Sequence, residues 1–113
     1  MSFAVAVQLI EEFKRHEALG LVDEDIAILQ SGDQTVLFAG QIGGHIHLQA
    51  WQQAHLPGGS VDYVHLWIDL YEDHYDPDDK ELATKKPFSQ QNFYITKPTF
   101  IRLLGPIMSC ITV

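Results

Sequence analysis

Residues 61–72, VDYVHLWIDLYE, alternate without a break. Val64, Leu66, Ile68 and Leu70 fall on one side of an extended chain; Tyr63, His65, Trp67, Asp69 and Tyr71 fall on the other. Strand side chains repeat every two residues, so the stretch reads as a β-strand with two unlike faces. One face is plain aliphatic and has to be covered. The other mixes aromatic rings with a histidine and a carboxylate, which is too aromatic for a sheet that merely faces water.

The flanking segments are read from this strand outwards. Residues 34–42 and 45–53 are expected to be the two preceding strands, joined by Gly43-Gly44 as a two-residue turn in which glycine supplies the positive φ. Residues 25–30 are read as an earlier strand, ending at the turn Ser31-Gly32-Asp33. The segment 45–56 has a helical alternative, because Leu48, Trp51, His55 and Leu56 would share a helix face. The Gly-Gly turn and the alternation from His45 to Leu48 favour the strand. Residues 55–60 form a loop. Residues 73–91 are polar, carry Pro77 and Pro87, and keep no period; they are expected to be a long excursion with a helical turn at 78–84 capped by Asp78. Residues 92–97 alternate again, and 99–104 and 107–113, split by Gly105-Pro106, are read as further strands.

Residues 2–19 read differently. Phe3, Val7, Ile10 and Phe13 recur at three- and four-residue spacing and predict an amphipathic helix. Ser2 can cap it, Lys14, Arg15 and His16 suit the negative end of its dipole, and Gly20 ends it. A strand over 3–9 is the weaker alternative. The expected fold is α+β, one domain over residues 1–113, with the N-terminal helix packed on one face of a curved, five- or six-stranded antiparallel meander. A chain of 113 residues can bury such a core without metal or disulfide staples. In outline the order of helix then meander resembles the small cone-shaped α+β folds that hold ligands inside a curved sheet; no motif carries the likeness and it transfers no residue.

Short turns fix which residues oppose one another. With Ile42 opposite His45, Phe38 faces Gln49 and Val36 faces Trp51. With Gln53 opposite Val61, Trp51 faces Tyr63, Gln49 faces His65, His47 faces Trp67 and His45 faces Asp69. One face then collects Val36, Phe38, His45, His47, Gln49, Trp51, Tyr63, His65, Trp67, Asp69 and Tyr71. It requires a cover: a second subunit, a ligand, or the excursion folding back.

The residue types on that face allow several chemistries. His45 and His47 with His65 or Asp69 are candidate metal ligands, but no recognised ligand spacing and no cysteine pair supports them, so no metal and no cofactor is expected. A cross-strand His45–Asp69 pair would suit a general base. His65 and Asp69 lie about 13 Å apart along one strand by the strand rise and do not pair. No nucleophile motif, phosphate loop or dinucleotide fingerprint accompanies them. Asp73, Asp76, Asp78, Asp79 and Glu81 lack the glycine and terminal glutamate of a calcium loop and read as solvated acid.

Charge narrows the partners. Seven Lys plus Arg against 15 Asp plus Glu give −8, which disfavours nucleic acid and anionic membrane and permits a basic protein. The one cysteine, Cys110, reads as a small buried hydrophobe; with no basic leader and no apolar run of membrane length, a cytoplasmic setting is expected. The leading expectation is a homodimeric, non-catalytic binding domain in which Phe38, Trp51, Tyr63, His65, Trp67 and Asp69 hold a planar or cationic small molecule. The alternatives are an acidic interaction or inhibitor domain for a basic protein, and a small enzyme built on His45, His47, His65 and Asp69. A symmetric dimer that buries the aromatic face needs no ligand at all.

Overall fold

The computed structural model describes residues 1–53 and 55–111. Helix α1 (Phe3–Arg15) starts where Ser2 caps it, its Oγ accepting from the Val5 N–H at 3.2 Å, and it buries Ala6, Ile10 and Phe13. A second helix, α2 (Asp23–Ser31), replaces the strand expected over 25–30. Asp23, Glu24 and Asp25 sit at the positive end of its dipole, and the Asp25 carboxylate accepts from the Val22 N–H at 3.1 Å. The alternation of Ile26 and Ile28 is misleading. Ile28 is exposed, and the residue α2 buries is Leu29.

Strands β1 (Thr35–Ile42), β2 (Ile46–Gln53), β3 (Tyr63–Leu70) and β4 (Ser89–Thr96) form an antiparallel sheet in the order β1-β2-β3-β4. The sheet has four strands, not five or six, because residues 97–111 form helix α3 (Lys97–Ile111) in place of the two strands expected there. Pro98 lies in the first turn of α3, where no intrahelical N–H bond is lost. Phe100, Leu103 and Leu104 recur at helical spacing, with Phe100 buried and Ile101 exposed. Residues 112–113 of the expected last strand lie outside the described residues. Residues 46–53 are strand rather than helix, and Ala54, beside them, is outside the described residues.

The sheet sorts its side chains strictly. Ile42, Ile46, Leu48, Ala50, Val64, Leu66, Ile68, Leu70, Phe93 and Ile95 form one buried cluster with Ala6, Ile10 and Phe13 of α1 and Phe100 of α3. Each fully buried Leu, Ile, Val or Phe side chain stabilises the fold by roughly 1.5–3 kcal/mol. Helices α1 and α3 therefore cover the same, aliphatic face.

Two registers differ from expectation. The β1–β2 turn holds three residues, since Ile42 pairs with Ile46, and Gly43 takes φ +64. Gln41, not Gly40, then faces His47, and Ala39 faces Gln49. A bulge at Leu37 restores the expected pairing of Val36 with Trp51. The β2–β3 pairing is shifted by two residues: Trp51 faces His65, Gln49 faces Trp67 and His47 faces Asp69. A shift of two keeps every side chain on its face.

The excursion after β3 is tied to the tip of the β1–β2 hairpin. Tyr71 N–H donates to the His45 carbonyl at 2.6 Å and Tyr75 N–H to the Gly44 carbonyl at 2.8 Å. A Cβ on Gly44 would collide with the His74 ring, so glycine lets the two segments meet. The excursion contains a 3-10 turn at Leu82–Thr84, four residues later than Asp78; Asp79 supplies the carboxylate there, accepting from the Leu82 N–H at 3.2 Å.

Candidate functional site

The second face of the sheet carries the aromatic, histidine and Asp69 side chains, and strand pairing sets its layout in rows. Trp51, His65 and Tyr94 lie side by side across β2, β3 and β4. The His65 and Tyr94 rings stack with centroids 4.7 Å apart at 14°, and Trp51 leans on the other side of His65 at 5.9 Å and 42°. The next row is Gln49, Trp67 and Asn92; the one beyond is His47, Asp69 and Gln90. At the opposite end Tyr63 sits between Gln53 and Thr96.

These side chains hold one another in place. Trp67 Nε1–H donates to Asp69 Oδ1 at 2.9 Å, and His65 Nε2 meets Asn92 Oδ1 at 3.4 Å. Burial pushes the His65 imidazole below its ordinary pKa, against the smaller upward pull of Asn92. It is a neutral ring at neutral pH, which suits stacking. His47 Nδ1 lies 4.0 Å from Asp69 Oδ2, too far for a hydrogen bond. Tyr71 and Tyr75 stack face to face at 4.0 Å beyond this row, and His47 meets Tyr75 at 6.1 Å. Burial first, then Tyr75 and Asp69, pushes the Tyr71 phenol up to about 12, so it stays protonated at any ordinary pH.

Five of the six expected binding residues, Trp51, Tyr63, His65, Trp67 and Asp69, lie on this face. Phe38 does not. The three-residue turn moves it opposite Ala50, onto the aliphatic face, where it packs against the core. His45 also leaves the face: it sits in the turn, its Nδ1 2.8 Å from the Tyr71 carbonyl and its ring edge-on to Phe3. The His45–Asp69 pair is therefore not formed, and His47 takes the position beside Asp69. Among the described residues, no three His, Cys, Asp or Glu side chains gather as metal ligands. The Cys110 side chain is outside the described part of the structure.

Sequence reasoning missed what β4 adds. Tyr94 and Asn92 complete the aromatic row and its polar edge; the alternation of Tyr94 and Thr96 was the available signal, but the β3–β4 pairing that places them was not. Among the described residues, the buried side-chain polar atoms without a hydrogen-bond partner are Gln41 Nε2, Gln53 Oε1 and Tyr94 Oη, and all three belong to this face. No helix among the described residues is long and apolar enough to cross a membrane. No protein-family model, curated protein or solved structure matches the chain.

Proposed function

We propose that the chain is a non-catalytic, homodimeric binding domain whose open sheet face takes a planar, cationic small molecule. The observation that carries this is the stacked row Trp51–His65–Tyr94, formed without a ligand, in which Trp51 and His65 are half-buried and Tyr94 is buried. A preformed aromatic row costs little to order on binding, and ring faces attract cations. Charge supports the cationic preference. None of the seven Lys and Arg residues falls within any strand, Asp69 lies on the same face two rows away, and His65 carries no positive charge at neutral pH. The test is tryptophan fluorescence, titrated with a flat aromatic quaternary ammonium probe, its neutral isostere and a planar carboxylate. Saturable quenching by the cation, weakened at least ten-fold in Trp51→Ala, is expected. Equal quenching by all three compounds, or none that saturates, refutes the reading.

The acidic excursion favours a second reading, a surface for a basic protein. It is anchored at Tyr75 and leaves Glu72, Asp73 and Asp78 exposed. Two of its carboxylates are already used locally: Asp76 accepts from the Asp78 N–H, and Asp79 accepts from the Glu81 N–H. Salt-sensitive association with a basic protein, lost on neutralising Asp73 and Asp78, would favour this reading over the first.

A further inference from the structure

We infer that β1 pairs edge to edge, antiparallel, with β1 of a second copy, joining two four-stranded sheets into one and leaving the aromatic face open. This rests on the homodimer in the reading above and adds the surface that makes it. The sheet ends at β1 on one side and β4 on the other. The β4 edge is partly closed, because the Ala18 N–H donates to the Tyr94 carbonyl at 2.7 Å. At β1, no backbone bond leads outward among the described residues. Every second residue of an edge strand points its N–H and C=O away from the sheet, ready to pair.

Natural edge strands are blunted by lysine, proline, inward charge or a β-bulge. β1, TVLFAGQI, has no lysine, proline or charge; it carries one bulge, at Leu37, which leaves 38–42 regular for pairing. Val36 is 56% exposed on this strand, and Thr35 and Ala39 are exposed beside it.

Charge selects the occupant. The chain carries −8, yet residues 34–61 contain no Asp, Glu, Lys or Arg. Two acidic molecules repel wherever carboxylates meet, and β1 itself brings none to the pairing. Antiparallel pairing also sets the nearest acid, Asp33, of one copy beside the far end of β1 in the other. The two Asp33 side chains then lie at opposite ends of the paired strands. A basic partner would be drawn to the carboxylates instead. An uncharged strand fits a second uncharged strand, and twofold antiparallel pairing is self-complementary.

The test is light scattering on the native chain, Ala39→Lys, Val36→Lys and Trp67→Glu, with hydrogen exchange on the native chain. The expected native mass is twice 12.8 kDa, halved by either lysine and unchanged by Trp67→Glu. Alternate β1 amides should be protected at high concentration and exchange faster on dilution. A dimer that survives both lysines but is halved by Trp67→Glu places the interface on the aromatic face and overturns the edge pairing while keeping the homodimer. A native monomer at every concentration overturns both and leaves the ligand reading to its own titration. β1 amides that exchange at one rate at all concentrations overturn the edge pairing even if the lysine variants fail to fold.

Discussion

Phe100→Ala and Ile101→Ala form a pair that tests whether α3 holds the sheet as described. Phe100 is 2% exposed and lies in the central cluster with Phe93 and Ile95; Ile101, one residue on, is 58% exposed. Removing a buried phenylalanine loses its transfer free energy and leaves a cavity, a cost of about 3–5 kcal/mol. Removing Ile101 should cost about 0.5–1 kcal/mol, since most of that side chain is already in water. A domain of this size is stable by roughly 5–15 kcal/mol, so Phe100→Ala uses up much of the margin. In urea, with a slope of about 1.5 kcal/mol per M, its midpoint should fall by about 2–3 M while that of Ile101→Ala falls by less than about 1 M. If Phe100→Ala does not fold, Phe100→Leu serves, with an expected cost below about 1.5 kcal/mol. Were 97–111 extended, Phe100 would share a face with Arg102 and not with Leu103. Equal losses for the two alanines, or a larger loss at Ile101, would show that the helix does not dock as described.

Three further outcomes are expected. His65 is held neutral by burial, so below its ordinary pKa of 6.5 the unfolded chain takes up a proton that the folded chain resists. This stability is complete above pH 6.5 and is lost as pH falls through the lowered folded value, so the native urea midpoint should drop more between pH 7.5 and 5 than that of His65→Phe; equal drops would count against it. Trp67→Phe keeps a ring but removes the donor to Asp69, at a cost of about 1–2 kcal/mol, and adding Asp69→Asn to it should cost little more; fully additive losses would show that the two groups are not coupled. Gly43→Ala meets φ +64 and a Cβ only 2.8 Å from the Met1 methyl, whereas Gly58→Ala meets φ +79 with open space around it. Both should destabilise by about 1–2 kcal/mol, Gly43→Ala more, and a reversed order in thermal melts would refute the turn geometry.

The sequence is most legible where period and environment agree. In β3 the alternation identifies both faces residue by residue, because burial on one side enforces a period of two. β2 follows from the same logic, and its face survives a two-residue error in register. Phe38 and His45 fail for one reason: glycines mark a turn but do not fix its length, and one extra residue reverses the strand that enters it. The bulge at Leu37 then restores Val36, an accommodation that no pattern announces. At α2 the signal that the strand reading of 25–30 passes over is the three carboxylates Asp23, Glu24 and Asp25, which suit a helix start. At α3 Pro98 and Gly105-Pro106 were read as breaks between strands, although proline in a first turn begins a helix, and Phe100, Leu103 and Leu104 carry helical spacing. Tyr94 and Asn92 depended on a long-range pairing across the excursion, which local pattern cannot supply.

The two helices that cover the aliphatic face stand on opposite sides of the meander in sequence. Each strand pairs with its neighbour in sequence, so on a ribosome the meander can assemble as it emerges. Its apolar side is then roofed only by α1. The remaining cover, α3, follows β4 in sequence, and at about 5–20 residues per second its 15 residues take roughly 1–3 s to synthesise. Until α3 has emerged and docked, the sheet keeps bare aliphatic surface. The protein cannot complete its fold during translation of the strands themselves, and a chaperone that shields apolar surface at the exit tunnel would act in that window.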